Sequence, residues 1–244
     1  MSTPRIFISP PLASGRRVLL EGAAAQHVRV LRLRPGDSLA VFDGTGGEYA
    51  AELLHVDRRR VEVLLHCHRS VEAESPLKLT LVQAVSKGER MDWTVQKAVE
   101  LGISRLLPVF TRRSIVRLEG QRLEKRMTHW RGVMRSACEQ CGRNCVPELL
   151  SAVPLTAAWA QLDDGGLRLV LDPRGGRRLR QLADGSAGVA SLLVGPEGGL
   201  TDEELEAAAG HGFKSLLLGP RVLRTETAGI AALAALQALC GDLG

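Results

Sequence analysis

Two loops near the end of the 244-residue chain constrain its fold more than any other feature. Each loop follows a short apolar run with strand character, at residues 192–194 and 216–218, and each begins with the dipeptide Gly-Pro. A sequence typical of a helix follows each loop. Parallel strands that end in such loops present backbone groups at one edge of a sheet, which is where α/β proteins bind their ligands. The pattern therefore predicts an α/β domain with a ligand site at this edge.

The first loop, GPEGG at residues 195–199, contains three glycines that permit positive φ angles and a close approach of a ligand to the backbone. Thr201 and Glu204 fit a capping box that would begin the next helix. The second loop, residues 221–226, carries two arginines and one glutamate. Neither loop has the glycine and lysine spacing of a P-loop or of a dinucleotide-binding motif. The alternative is that both loops are tight turns without a chemical role.

The composition of the chain excludes several classes of protein. Hydrophobic residues make up 45% of the chain and the mean hydropathy is +0.01, as in globular proteins with an ample core. We find no secretory signal pattern, and no apolar run approaches the ~20 residues that cross a bilayer. Five cysteines, an odd count, favour a reducing compartment over a disulfide framework. We therefore expect a cytoplasmic protein with no membrane partner.

Positive charge is concentrated in the middle of the chain. The net charge is +5, but residues 76–150 alone hold 14 Lys and Arg against 7 Asp and Glu. This basic segment precedes the part of the chain that carries the glycine-rich loops. The combination favours a polyanionic substrate that binds next to a small-molecule site. A solvated, arginine-rich surface is the alternative. Aromatic residues make up only 3% of the chain, which argues against RNA recognition by rows of stacked bases.

The strand and helix patterns divide the chain into two predicted domains. Residues 1–73 carry short alternating runs, Gly- and Pro-containing turns and one helical piece, which predicts a small β-barrel or sandwich. Residues 74–76 are the predicted linker. Residues 77–244 alternate strand and helix, which predicts a parallel sheet covered by helices. Its strands are expected at residues 77–85, 103–110, 148–151, 167–171, 189–194 and 216–218, and its helices at residues 90–101, 122–142, 155–162, 177–183 and 225–240.

The long helix predicted at residues 122–142 ends among three closely spaced cysteines. These are Cys138, Cys141 and Cys145. A structural zinc site needs four ligands and no fourth is near in sequence, so we expect the cysteines to pack as small hydrophobic residues and to hold no metal. The neighbouring pairs Glu139-Gln140 and Arg143-Asn144 could read the edge of a base. The alternative is that they only terminate and cap the helix.

The last predicted helix, residues 225–240, is apolar on almost every side and rich in alanine. A helix of this kind is buried, either in the core of its own domain or against another subunit. Because small residues allow close approach of two helices, we favour a homodimer interface, with the core as the alternative.

Four separated motifs resemble those of the bacterial small-subunit ribosomal RNA uracil-N3 methyltransferase family, which belongs to the SPOUT class. They are LVQAVSKGERMDWTVQKAVELGISRLLPVFTRRS (81–114), RSACEQCGRNCVPEL (135–149), LLVGPEGGLTDEEL (192–205) and LGPRVLRTETA (218–228). Two further stretches, HVRVLRLRPGD (27–37) and VFDGTGGEY (41–49), resemble the N-terminal domain of this family. Cys141 departs from the family pattern, in which a serine is expected at this position.

The resemblance implies a SPOUT-type α/β methyltransferase domain with a C-terminal trefoil knot, preceded by a PUA-like β-barrel domain that binds RNA. It implies S-adenosylmethionine as the cofactor and a homodimer. It also implies methylation of N3 of one uridine, uridine 1498 in the family's numbering, of 16S rRNA in the small ribosomal subunit. The alternatives are a SPOUT methyltransferase for another RNA position, such as a ribose 2′-hydroxyl, and a non-catalytic RNA-binding protein. The intact loops argue against a pure binder, because such a protein needs no cofactor pocket.

The resemblance implies the cofactor site, the chemistry of methyl transfer gives the catalytic candidates, and the charge pattern together with the family motifs gives the expected RNA contacts. The expected cofactor site consists of Leu171, Asp172, Pro173, Val194, Gly195, Pro196, Glu197, Gly198, Gly199, Leu218, Gly219, Val222, Leu223 and Arg224. Glu197 or Glu226 is the candidate general base for N3, and Arg224 or Arg143 is the candidate cation for the uracil oxygens. Alternatively, Glu226 only interacts with a helix dipole and Glu197 only holds its loop. RNA contacts are expected from Arg5, Arg29, Arg32, Lys87, Arg90, Arg112, Arg113 and Arg143.

Overall fold

The computed structural model describes residues 3–9, 11–183 and 185–244. The chain forms two compact units. The first comprises the described residues up to Glu74 together with Arg135–Val146, and the second comprises Ser75–Met134 and Pro147–Gly244. The sequence pattern assigns Arg135–Val146 to the second domain, but in the structure these residues pack within the first unit.

The first unit is built on a five-stranded sheet. Its elements are β1 (Arg5–Phe7), β2 (Arg17–Leu19), α1 (Gly22–Val30), β3 (Ser38–Phe42), β4 (Glu48–Val56) and β5 (Val61–Arg69). The strand order is β1-β3-β4-β5-β2, in which β1 and β3 are parallel and the other pairs are antiparallel. Alternate residues of each strand point to one face, so Val61, Val63 and Leu65 of β5 are all buried. Ile6 and Val28 belong to the same core.

Arg143 connects the segment Arg135–Val146 to Glu74, the last residue of the N-terminal part of this unit. Its side chain is buried, and its Nε donates hydrogen bonds to both carboxylate oxygens of Glu74, at 3.0 and 3.1 Å. Its Nη2 completes a bidentate ion pair with the same carboxylate. Charge-assisted bidentate pairs of this kind are among the stronger hydrogen bonds in proteins. The pair therefore explains why this segment belongs to the first unit.

Cys138 is fully buried in the same unit, and burial raises the pKa of its thiol to about 12. It packs as a neutral, small hydrophobic residue, as the sequence predicts. Burial also raises the pKa of the Cys145 thiol, with neighbouring Glu72 adding to the effect.

The second unit contains a parallel sheet with helices on both faces. Its elements are β6 (Lys78–Ala84), α2 (Glu89–Glu100), β7 (Arg105–Phe110), α3 (Gly120–Cys141, whose residues up to Met134 belong here), β8 (Glu148–Leu149), β9 (Val153–Pro154), α4 (Leu155–Ala158), β10 (Leu167–Leu171), β11 (Val189–Val194), α5 (Asp202–Gly210), β12 (Lys214–Leu216) and α6 (Thr225–Cys240). Two short 3-10 helices lie at Trp159–Gln161 and Leu179–Gln181. The strand order is β12-β10-β11-β6-β7-β8, and β9 also pairs with β7; every pairing is parallel. The predicted parallel sheet is therefore confirmed.

The two faces of the sheet carry different helices. Val82 and Leu193 point to one face and share a core cluster with residues of α4 and α5, such as Ala158 and Ala208. Val194, the neighbour of Leu193 along β11, points to the opposite face, because successive strand residues alternate. There it approaches Gly229 of α6. Of the helices that the structure describes, none combines the length and the apolar character that crossing a bilayer requires.

The structure corrects the predicted helix at residues 177–183. Arg177 has an extended backbone: its N–H donates to the carbonyl of Ser215 and its carbonyl accepts from the N–H of Leu217, each at 3.0 Å. Because these groups bond to another segment, they are not available to a helix, and only the 3-10 turn at Leu179–Gln181 follows. The strand predicted at residues 216–218 is also displaced, because β12 pairs with β10 over Lys214–Leu216.

We expect Arg143→Ala to destabilise the first unit by about 3–5 kcal/mol, because it leaves the Glu74 carboxylate partly buried without its cation. Urea unfolding followed by circular dichroism measures this loss. Arg59→Ala is the matched control, since Arg59 is exposed in the same unit, and it should change stability by at most about 0.5 kcal/mol. A loss of stability below about 1 kcal/mol for Arg143→Ala would contradict this prediction, because it would show that the pair contributes no more than a surface salt bridge.

Candidate functional site

Three strands of the second unit end at the same edge of the parallel sheet. β10 ends at Leu171, which is in register with Leu216 at the end of β12, and the neighbouring strand β11 ends at Val194. The loops that follow these strands line a cavity of about 620 Å³. This is the edge at which open α/β sheets bind their ligands.

Most of the residues predicted for the cofactor site line this cavity. They are Leu171, Asp172, Pro173, Val194, Gly195, Pro196, Glu197, Gly198, Gly199, Val222, Leu223 and Arg224. Leu218 and Gly219 do not belong to the lining, so their contact with a ligand stays a prediction. The cavity is completed by Arg90, Arg113, Arg174, Leu200, Leu205, Thr225, Glu226 and Ala228. Of these, Leu200 directly follows the first predicted loop and Thr225 lies within the second, directly after Arg224, and this adjacency is the signal that could have identified them.

Local hydrogen bonds fix the first loop, residues 195–199. The N–H of Gly199 donates to the carbonyl of Pro196 at 2.9 Å, and Gly199 has a φ of +70°, which glycine adopts without strain. The predicted capping box is confirmed at the start of α5. The N–H of Glu204 donates to Thr201 Oγ1, and the N–H of Thr201 donates to the Glu204 carboxylate. The chain therefore leaves the loop directly into a capped helix.

Thr225, the first residue of α6, connects the two Gly-Pro loops. Its side chain is buried, and its hydroxyl donates a hydrogen bond to the carbonyl of Gly195. Gly195 is itself closely packed, since a Cβ at this position would lie 3.0 Å from Cγ of Leu200. A tight contact and a partly buried hydrogen bond together hold the first loop against the start of α6.

Arg90, in the first turn of α2, lies between two carboxylates of the cavity. Its Nη1 donates to Oε1 of Glu197 at 3.0 Å, and its Nε lies 3.8 Å from Oε1 of Glu226. The other oxygen of Glu226, Oε2, is buried and has no hydrogen-bond partner within the part of the chain that the structure describes. A buried carboxylate oxygen without a donor is costly, so a ligand that lies in the cavity and offers an N–H or O–H would satisfy it.

The remaining loop, which follows β10, is held by Arg174. Its Nη1 donates to Asp202 at 2.6 Å and its backbone N–H donates to Asp172 at 3.0 Å. The hydrogen bonds to Asp202 and then to Asp172 raise the pKa of the Arg174 guanidinium. Arg174 and Asp202 are exposed, so their ion pair positions the loop more than it stabilises the fold.

The predicted catalytic residues separate into two groups. Glu197, Arg224 and Glu226 line the cavity, as the sequence predicts for a shared site. Arg143 belongs to the first unit, where its guanidinium is paired with Glu74. Its role towards the uracil oxygens stays a prediction, and the structure gives it a structural partner.

Three of the arginines predicted to contact RNA are engaged inside the first unit: Arg143, which is paired with Glu74, and also Arg5 and Arg29. Arg5 forms an ion pair with Glu48, and its Nη2 donates to Oδ1 of Asn144 at 2.6 Å. Arg29 donates from Nε to the carbonyl of Asp57 at 2.9 Å. Arg32 is exposed and has a positive φ of 55°, an uncommon conformation for a residue other than glycine.

The predicted RNA-binding residues of the second unit are more accessible. Lys87, Arg90, Arg112 and Arg113 are all exposed. Arg113 nevertheless has a fixed contact, since its Nη1 donates to the carbonyl of Gly198 at 2.9 Å and so reaches the first loop. The backbone N–H of Arg112 donates to the Glu204 carboxylate at 2.8 Å, which leaves its guanidinium at the surface beside Glu203.

We expect Thr225→Val to lower the free energy of unfolding by about 1–3 kcal/mol, because the partly buried carbonyl of Gly195 loses its donor while the volume of the side chain is kept. Thermal unfolding by calorimetry measures the change. Thr227→Val is the matched control, since Thr227 is exposed in the same helical turn and should change stability by at most about 0.5 kcal/mol. Equal effects of the two substitutions would contradict the importance of this hydrogen bond.

Comparison with known proteins identifies both parts of the chain. Residues 73–237 match the family model of an RNA methyltransferase domain, and residues 20–65 match that of an RNA methyltransferase PUA domain. The chain is 32% identical over 241 residues to ribosomal RNA small subunit methyltransferase E of Buchnera aphidicola subsp. Schizaphis graminum, with 98% of each chain covered. It is 30% identical to the Bacillus subtilis protein of the same name, with 89% of this chain and 88% of the relative covered.

Solved structures give the same result. A putative methyltransferase from Legionella pneumophila, in complex with the bound cofactor SAM, superposes with a TM-score of 0.95 at 41% identity over 100% of both chains. Ribosomal RNA small subunit methyltransferase E from Neisseria gonorrhoeae, bound to S-adenosyl methionine, superposes with a TM-score of 0.92 at 38% identity, also over 100% of both chains. The predicted PUA-like domain and α/β methyltransferase domain are thereby confirmed. The chain belongs to the ribosomal RNA small subunit methyltransferase E family of RNA methyltransferases.

Proposed function

We propose that this protein transfers a methyl group from S-adenosylmethionine to N3 of one uridine of 16S rRNA in the small ribosomal subunit. The observation that carries the proposal is the cavity at the carboxyl edge of the sheet, which combines glycine-rich backbone, apolar walls and a buried carboxylate oxygen that finds no donor among the described residues. The relatives named ribosomal RNA small subunit methyltransferase E supply the RNA class. The choice of N3 rests on the resemblance of the motifs to the uracil-N3 family.

The residues of the cavity fit S-adenosylmethionine. A volume of about 620 Å³ lies within the roughly 300–1,000 Å³ of typical small-molecule sites. Val222 is 81% exposed although it is large and apolar, so a ligand in the cavity would cover it, and Val194 and Leu223 extend this apolar wall for an adenine ring. Glu197 and Glu226 provide negative charge for a cationic ligand. When bound, S-adenosylmethionine supplies a methyl group activated by the positive charge on its sulfur.

Glu226 is the better candidate of the two for the general base. Methylation at N3 requires that the N3 proton leave, and the acceptor must have a free oxygen within the site. Glu197 uses its Oε1 in a hydrogen bond with Arg90, and its side chain is 29% exposed. Glu226 is 15% exposed and its Oε2 has no partner among the described residues. Of the two arginines predicted to stabilise the uracil oxygens, Arg224 lies directly before α6 and lines the same cavity as Glu226. It is therefore our candidate for that role.

The homodimer is part of this proposal, and α6 supports it. Its buried residues, among them Ala232, Leu233 and Leu236, pack within the second unit. The remaining apolar residues of the helix, such as Ile230 and Leu239, are partly exposed in a single chain. The helix has apolar residues on almost every side, and only part of its surface is covered within one chain. Burial of the rest against a second subunit is more favourable than its exposure to water. The trefoil knot and the cytoplasmic location likewise stay predictions from the family resemblance and the composition.

The first test is methyl transfer from labelled S-adenosylmethionine to small ribosomal subunits that lack the modification, with mass spectrometry of the released nucleosides. We expect 3-methyluridine at one position. Detection of a 2′-O-methylated nucleoside would agree with the proposed cofactor site but would show that the methyl group goes to a ribose oxygen and not to N3. Absence of any product, together with absence of S-adenosylmethionine binding by calorimetry, would refute the proposed function.

Separate variants distinguish the two carboxylates. We expect Glu226→Gln to lower the single-turnover rate by about 10²–10⁴-fold, the usual contribution of a general base, while cofactor binding persists. Glu197→Gln should lower it far less. The reverse order would assign the base to Glu197. Circular dichroism of both variants verifies that they fold.

The exposed basic residues of the second unit predict salt-dependent RNA binding. The logarithm of the affinity should fall linearly with the logarithm of the salt concentration, by about 0.7–0.9 per phosphate contact. Lys87→Ala and Arg112→Ala should each reduce this slope by roughly one contact, as measured by filter binding to a 16S rRNA fragment. Arg180→Ala, an exposed arginine outside the basic segment, should leave the slope unchanged. Binding that is insensitive to salt would contradict a phosphate-based interface.

A further inference from the structure

The turn that joins β4 to β5 in the first unit presents three consecutive arginines. It spans residues 57–60, with the sequence Asp-Arg-Arg-Arg, between Val56 and Val61, which pair with each other. All four residues of this arginine turn are exposed. The charge distribution of the sequence does not single it out, because the basic excess lies in residues 76–150.

Asp57 orders the arginine turn from within. Its Oδ1 accepts hydrogen bonds from the N–H groups of Arg59 and Arg60, each at 2.7 Å, and its own N–H donates to the carbonyl of Arg60 at 2.9 Å. Nε2 of His55 lies 2.9 Å from Oδ2. The hydrogen bond with the His55 side chain, followed by those from the two backbone N–H groups, lowers the pKa of the Asp57 carboxyl from 3.8 to about 2. The acceptor is therefore ionised at neutral pH.

Arg29, in the last turn of α1, holds the arginine turn from the outside. Its Nε donates to the carbonyl of Asp57 at 2.9 Å and its Nη2 donates to the carbonyl of Arg58 at 3.4 Å. One guanidinium thus holds two successive carbonyls, which its planar set of donors allows. The sequence predicts that Arg29 contacts RNA, whereas the structure directs its guanidinium to the backbone of the protein itself.

Two of the three arginines in the turn have free guanidinium groups. Nη2 of Arg60 forms an ion pair with Oε2 of Glu62 at 2.8 Å. Among the described residues, no hydrogen bond or ion pair engages the side chain of Arg58 or Arg59. The backbone of the turn is therefore fixed while two guanidinium groups stay in water. A loop that is ordered beforehand loses less entropy when it binds a partner.

Arg32 adds a third exposed cation beside Arg29. It follows α1 in a Schellman motif, in which the N–H of Leu33 donates to the carbonyl of Val28 at 3.3 Å and the N–H of Arg32 donates to the carbonyl of Arg29 at 3.0 Å. Its φ is 55°, and glycine is the usual residue at this position of the motif. A side chain strains this left-handed backbone, so the arginine is present at a cost in stability.

We propose that Arg32, Arg58 and Arg59 form a phosphate-binding surface for the backbone of the substrate RNA, and that Arg29 and Asp57 position it. Guanidinium groups match phosphate oxygens in charge and geometry. Residues 28–34 and 56–62 contain no Phe, Tyr or Trp, so the surface fits the phosphate backbone and not stacked bases. Both stretches lie within residues 20–65, which match the RNA methyltransferase PUA domain. The identity of the RNA rests on the proposed function.

Arg58→Ala and Arg59→Ala should each remove one phosphate contact. In filter binding of the full-length protein to a 16S rRNA fragment, each should lower the salt slope by about 0.7–0.9 and the affinity at 0.1 M salt by about 5–8-fold. Arg59→Lys keeps the charge and should keep most of the slope.

Arg69→Ala is the matched control, because it removes an exposed arginine at the other end of β5, about 27 Å from Val61 along the strand. It should leave the slope and the affinity nearly unchanged. Equal losses in Arg59→Ala and Arg69→Ala would attribute the effect to net charge, and unchanged binding in both would remove the phosphate contact. Either result would overturn the inference.

Arg32→Gly should change stability and RNA affinity in opposite directions. Glycine adopts this φ without strain, so the midpoint of thermal unfolding should rise by roughly 2–4 °C in calorimetry. The affinity for the same RNA fragment should fall by about 5–8-fold at 0.1 M salt. A purely structural role of Arg32 predicts no loss of affinity in a stabilised variant. Unchanged RNA binding would therefore overturn the assignment of Arg32.

Arg29→Ala separates positioning from direct contact. If Arg29 positions the arginine turn, the backbone ¹⁵N order parameters of residues 58–60 should fall, the affinity should weaken, and the salt slope should stay nearly the same. A slope reduced by one contact, with unchanged order parameters, would make Arg29 a phosphate contact and contradict its role in the inference.

The binding measurements need no methyl transfer, so they separate this inference from the proposed function. If the wild-type protein forms 3-methyluridine while Arg58→Ala and Arg59→Ala bind RNA with unchanged slope, the inference is wrong and the proposed function stands. If the wild-type protein forms no methylated product while these variants lose affinity and slope, the proposed reaction fails and the phosphate-binding surface stands.

Discussion

Parallel pairing of neighbouring strands is the constraint on which the rest of the second unit depends. Leu171 is in register with Leu216, and Val170 with Leu193, so β10, β11 and β12 end at one edge. Every strand pair in this sheet runs in the same direction. Because parallel strands require long connections, each loop at this edge can lead into a separate segment and contribute its own side chains. The cavity is the space that these loops leave between them.

Contacts within the cavity differ in what they do. The hydrogen bond from the buried Thr225 side chain to Gly195 is partly buried, and its loss would leave an unsatisfied carbonyl, so it contributes to stability. The ion pair between Arg90 and Glu197 is formed by side chains that are 45% and 29% exposed, and pairs of this kind contribute only about 0–1 kcal/mol. Its value lies in the placement of charge beside a buried carboxylate oxygen. Stability thus depends on the Thr225–Gly195 hydrogen bond, whereas the proposed function depends on the Arg90–Glu197 pair of the same cavity.

Arg143 and Arg112 show that the number of charges in a segment does not determine which arginines are available to bind RNA. In sequence, Arg143 and Arg112 both belong to the basic middle of the chain. In the structure, Arg143 is buried against Glu74, 69 residues away, whereas the guanidinium of Arg112 stays at the surface. Net charge counts every cation equally, although a cation that already has a buried partner is not available to phosphate groups in the same way. The partner decides the role, and the partner is distant in the chain.

The sequence by itself determined the local features: the strand that ends before Gly195, the capping box of Thr201 and Glu204, and the alternation of strands and helices that specifies a parallel sheet. Each depends on residues only a few positions apart. Only the tertiary structure decided that Arg177 is extended and that Arg90 meets Glu197 across 107 positions of sequence. The partners in these contacts are chosen by packing of the whole unit, which no local periodicity encodes. The proposed active site is therefore predictable loop by loop, while its charge arrangement is a property of the fold.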